Sequence, residues 1–173
     1  QKNGNVQTVR TTGVTLAAEP SDGTDTSDSE HVTAEAVDDN YGTMFLEFDL
    51  TGFGDDLWVK ADDAVQGASS TAGLAYQIYD VTAGAATTSG SVTIDYDIDG
   101  ADEDNGYFEL EDGETYTVTV TVDYNPVSYG VDRSYRLDVL TVGYNDTEDT
   151  TADTTASPDD ATEYRSDAVT IQS

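Results

Sequence analysis

From Thr115 to Val122 the chain alternates without a break, with Tyr116, Val118, Val120 and Val122 at one parity and Thr115, Thr117, Thr119 and Thr121 at the other. A period of two sends successive side chains to opposite faces of an extended backbone, so this stretch gathers its apolar groups only as a β-strand. In a helix the same valines would be scattered round the circumference. One face meets a core and the other meets water, which an antiparallel sheet permits.

The same rule recurs along the chain. Residues 43–51 put Met44, Leu46, Phe48 and Leu50 on one side, and residues 91–98 alternate Val92, Ile94, Tyr96 and Ile98 with Thr93, Asp95 and Asp97. Residues 135–144 and 164–172 read as late strands, and 31–37, 57–60, 74–79 and 107–110 as shorter ones. No stretch longer than two turns carries apolar residues at helical spacing. With the N-terminal segment 5–17 this makes about ten strands bounded by Gly, Asp, Asn and Ser, which predicts an all-β, Ig-like antiparallel β-sandwich. The polar segments 18–30, 80–90 and 145–162 are expected as exposed loops. With no linker or repeat visible, a single sandwich domain is expected over residues 18–173, preceded by an N-terminal strand over 1–17 that is open to donation to a neighbour.

Charge narrows the partners. Asp and Glu number 36 against 6 Lys and Arg, a net charge of -30. Such a surface repels phosphate backbones and anionic lipid, so no nucleic acid is expected as a partner. No apolar run approaches the roughly 18 residues that span a bilayer as a helix, so no membrane insertion is expected. The repulsion is relieved by salt or by bridging divalent cations. There is no cysteine, hence no disulfide frame or thiol nucleophile. The chain opens on Gln1, which leads to the expectation of a removed export signal and an extracellular, cell-surface location.

Candidate chemistry is sparse. Asp95, Asp97, Asp99 and Gly100 match the opening of an EF-hand loop, but the twelfth position, where a bidentate acid belongs, is Gly106. A different calcium site through Asp99, Asp102 and Asp104 is the metal expectation, set against a solvated acidic strand and turn. The pairs Asp55–Asp56 and Asp62–Asp63 follow from composition alone, and a single Trp offers little for sugar stacking, so glycoside hydrolysis is not expected. His31, the only histidine, lies near Ser29 without an elbow or oxyanion loop, and reads as a partly exposed residue at a strand start. No enzyme activity is expected, and no cofactor is required beyond calcium. Asn145-Asp146-Thr147 forms a glycosylation sequon, and residues 147–158 form a Thr-rich stretch suited to O-linked sugar or to a soluble loop.

The N-terminus draws the sharper hypothesis. Val6, Thr8, Val14 and Leu16 share one parity, interrupted by Arg10. Such a segment is either the first strand of its own sandwich or a donor strand completing a neighbour's sheet, where main-chain hydrogen bonds give affinity. An unpaired sheet edge is otherwise a liability.

The phrase TMFLEFDLTGFGDDLWV over residues 43–59, carried by Phe45, Phe48, Asp49, Thr51, Gly54 and Asp55, resembles one found in secreted surface proteins with Ig-like strands. That resemblance implies export and a β-sandwich, and no activity. In architecture the chain also resembles donor-strand fibre subunits and the sandwich domains of S-layers, though it lacks the cysteine pair of chaperone-dependent bacterial pilins. The expectation is therefore a structural subunit of an extracellular, pilus-like filament, a homopolymer assembled by strand exchange through residues 1–17. The alternatives are an adhesin or carbohydrate-binding module, or a calcium-dependent S-layer component.

Overall fold

The computed structural model describes residues 12–18, 32–36, 40–67, 72–127, 130–149, 154–158 and 161–172. Within them the chain is all-β, built as sheets packed face to face round one core. The strands are β1 (Gly13–Ala18), β2 (Val32–Ala36), β3 (Gly42–Phe53), β4 (Leu57–Lys60), β5 (Ala64–Gln66), β6 (Leu74–Asp80) and β7 (Ala85–Thr87). They continue with β8 (Ser91–Asp99), β9 (Asp102–Asp104), β10 (Tyr107–Leu110), β11 (Thr115–Asn125), β12 (Arg133–Tyr144), β13 (Thr154–Ala156) and β14 (Val169–Ile171). These fourteen exceed the ten expected from alternation, because β5, β7, β9 and β13 are three-residue strands without a pattern of their own. Two segments expected as loops carry such strands, β7 within 80–90 and β13 within 145–162.

The first sheet runs β1-β3-β11-β8, with β2 also on β3. β3 and β11 form its centre, paired antiparallel from Thr51↔Thr115 to Gly42↔Tyr124. Their inner faces match the alternation: Met44, Leu46, Phe48 and Leu50 are at most 1% exposed, as are Val120 and Val122. Each such side chain contributes about 1.5–3 kcal/mol by leaving water. The second sheet runs β13-β12-β6-β5, with β14 on β12 and β7 on β6. β5 and β6 make its parallel pair, while the other described ladders are antiparallel. A small sheet, β4-β10-β9, closes one end and joins the second sheet through a bridge between Trp58 and Asn145.

The core is sealed by edge-on aromatic pairs: Phe48 on Tyr164, Tyr124 on Tyr135, and Tyr96 on Phe108. Along one side of the sandwich β13 meets β1 and β14 meets β2, while on the other β5 meets β8.

β1 and β2 share one edge of β3, end to end. β1 pairs from Gly13↔Phe53 to Ala18↔Phe48, and β2 from Val32↔Leu46 to Ala36↔Gly42. The edge is thus one line of strand broken beside Glu47, between Ala18 and Val32.

Candidate functional site

The opposite edge of the first sheet differs. β8 is nine residues long, about 30 Å of strand. One side of it pairs with β11 from Thr117↔Asp99 to Asn125↔Ser91, and no described strand lies along its other side. Such an edge presents a row of main-chain donors and acceptors ready to pair with another strand. Ser91, Thr93, Asp95, Asp97 and Asp99 are exposed, Tyr96 and Ile98 are buried, and Val92 and Ile94 are half-buried.

Tyr96 anchors this strand to the small sheet β4-β10-β9. Its hydroxyl donates to the Lys60 carbonyl oxygen, and its ring stands edge-on to Phe108 at 6.1 Å. The turn it reaches is tightly built. A Cβ on Gly73 would lie 2.1 Å from the Asp63 carbonyl oxygen and 2.9 Å from the Tyr96 hydroxyl, so only glycine fits. Asp62 takes a left-handed backbone (φ 56°), and Lys60 pairs with Asp63 at 3.2 Å. Burial pushes the Tyr96 phenol well above its ordinary range, a main-chain hydrogen bond at Asp63 opposes the shift, and the Asp63 and Asp62 carboxylates add to it. The phenol therefore stays neutral and keeps donating.

Between this turn and β8 opens a pocket of about 160 Å³ lined by Asp62, Ala64, Ile94, Asp95 and Tyr96. Small-molecule sites usually span about 300–1,000 Å³, so this one suits a single side chain. Two acids with Ile94 and Ala64 as apolar wall fit the stem and head of a cationic residue.

The outer faces of the two sheets differ in how they treat charge. On the first, the β11 threonines separate acids on both neighbours, giving rows Asp99–Thr117–Asp49 and Asp97–Thr119–Glu47. Like charges directly opposite each other are avoided this way. On the second, buried Asp138 accepts from Gln77 Nε2 at 2.9 Å and from Arg136 Nε at 2.7 Å, with Arg165 Nε at 3.6 Å. Arg136 also lies 4.4 Å over the Tyr79 ring, and Arg133 pairs with Asp80.

The residues singled out in the sequence are dispersed. Asp99 ends β8, while Asp102 and Asp104 lie on β9, all exposed, and no group of three potential metal ligands occurs among the described residues. Asp95 and Asp97 sit on the outer face of a strand, as the alternation predicts. Asp55 and Asp56 serve a turn: Asp56 Oδ1 accepts from the Asp112 N–H at 3.3 Å and Asp112 Oδ1 from the Gly54 N–H at 2.6 Å. Asn145 is 2% exposed and its Nδ2 donates to the Asp149 carbonyl oxygen at 2.9 Å. Val14 is buried and Leu16 half-buried in the chain's own sheet. Val6, Thr8, Ser29 and His31 lie outside the described residues. The pocket was not legible in the sequence, because Asp62 sits in the turn after β4 and Asp95 on β8, and no spacing rule connects them.

No protein-family model and no curated protein matches the chain. Among solved structures it is similar to the N-terminal domain of PorA, with a TM-score of 0.36 and 10% identity over 92% of this chain and 96% of that one. A superposition that loose carries no argument about fold or function.

Proposed function

We propose that this chain is a structural subunit of an extracellular filament, joined copy to copy by main-chain pairing between its N-terminal segment and a neighbour's sheet edge. The observation that supports this reading is the β8 edge, which no described strand covers. Strand addition to such an edge gains hydrogen bonds in register and needs few specific side chains.

The cis placement of β1 narrows the donor. Val14 and Leu16 are engaged at home, so the donor we assign lies ahead of Gly13 and includes Val6 and Thr8. The acidic exterior keeps finished fibres apart. Electron microscopy and sedimentation of the full chain, beside a chain lacking residues 1–11, test the reading. The full chain is expected to form filaments and the shortened one to remain monomeric with an unchanged melting curve. Filaments from the shortened chain would sink it.

A further inference from the structure

We propose that the segment ahead of Gly13 in one copy adds as a strand to the β8 edge of the next, with its Arg10 seated in the pocket between Asp62 and Asp95. This rests on the filament reading above and specifies its acceptor.

Charge selects the occupant. The chain holds six Lys and Arg. Four of them, Lys60, Arg133, Arg136 and Arg165, are engaged in ion pairs within the fold. The other two, Lys2 and Arg10, lie ahead of Gly13 and outside the described residues, in a stretch whose first acid is Glu19. A chain of net charge -30 therefore carries an acid-free, basic segment at one end and an edge bearing Asp95, Asp97 and Asp99 elsewhere. Complementary charge of this kind speeds encounter and fixes register.

Pattern and reach agree with charge. Val6, Thr8 and Arg10 share a parity, so turning Arg10 into the pocket turns Val6 and Thr8 toward the same side. Ile94, left half-buried on β8, lines that pocket beside the two acids. Extended, residues 1–11 reach about 36 Å, enough to line the whole of β8. β1 lies at the far edge of the sheet from β8, with β3 and β11 between them. Donor and acceptor are thus different surfaces, and a contact between different surfaces propagates head to tail unless its rotation closes a ring.

The test uses full-length chains. Arg10→Glu disables the donor and leaves the edge sound; Asp95→Lys disables the edge and leaves the donor sound. Glu148→Lys, on an exposed residue away from the pocket, controls for net charge. In sedimentation velocity each disabled variant is expected to self-associate about tenfold more weakly than the unaltered chain or the Glu148→Lys control. Mixed together, the two variants should copolymerise in alternation, because the native donor meets the native edge at one junction and the reversed pair meets at the next. The double variant Arg10→Glu/Asp95→Lys, with both charges reversed, should regain polymerisation. The proposal is overturned by a mixture that stays monomeric, or by a double variant no better than the single ones. It is also overturned if a protected N-terminal segment is found in monomers at every dilution, since the strand then closes on its own edge. Filaments that need residues 1–11 but ignore Asp95→Lys overturn this assignment alone; an unaltered chain that never polymerises overturns the filament reading with it.

Discussion

The Tyr96 phenol ties β8 to the turn after β4, and that turn is possible only because Gly73 leaves room for the Asp63 carbonyl. Its ionisation therefore acts on the fold. Burial raises the folded pKa above the ordinary value of 10.0, so the unfolded chain gives up this proton first as pH rises. The stabilisation is whole below about pH 10 and is lost as pH climbs through the folded value. Tyr76 is shifted in the same direction by burial and adds to the effect. Melting midpoints between pH 8 and 12 should thus fall steeply above about pH 10. Tyr96→Phe should cost about 1 kcal/mol at neutral pH by removing the hydrogen bond, and should flatten the alkaline fall. An unchanged slope in the variant would show that the titration belongs elsewhere. Alternation alone put Tyr96 on the inward side of its strand. It could not supply the partner, because Lys60 approaches from another sheet.

At the scale of elements, long strands were legible and short ones were not. β3, β8 and β11 show two-residue alternation over most of their length, since each has one face on the core. β7 and β13 read only Ala-Ala-Thr and Thr-Thr-Ala, and they form because β6 and β12 offer them a ladder. The expected strand over 164–172 shrinks to Val169–Ile171, and upstream of it the chain is held instead by a bridge at Arg165 and by Ser166 Oγ, which accepts from the Leu137 N–H at 2.9 Å. Asp138 is the other departure: an acid 4% exposed between buried Leu137 and Val139, just ahead of the bulge at Val139/Thr141. It fastens Arg165 across the strand edge, and its removal leaves Arg136 and Arg165 without this carboxylate. Asp138→Ala should cost about 3 kcal/mol and lower the melting midpoint by roughly 10 °C. A loss within a degree or two would mean that the guanidinium groups find water as readily as they found Asp138.

For the whole molecule, a net charge of -30 sets the balance between fold and solvent. The acids are not gathered into a cation cage among the described residues; on the first sheet they alternate with threonines. Repulsion is therefore spread over the surface, and relief should come from ionic strength rather than from one bound ion. The screening length falls from about 30 Å at 0.01 M salt to about 3 Å at 1 M, so neighbouring acids cease to feel each other across most of that range. The melting midpoint should rise continuously between those concentrations, and sodium and potassium chloride should give the same curve. Calcium chloride matched for ionic strength should follow it closely. A saturable rise at micromolar calcium would instead mark a specific site, because a ligand that binds only the native state stabilises it according to its dissociation constant. The four cations fixed in ion pairs on the fold set a limit on the effect. Asp80 and Asp138 are nearly buried, so salt screens their pairs far less than it screens the surface acids. Added salt thus removes repulsion without dissolving the ion pairs that fasten the second sheet, and stability gains on balance.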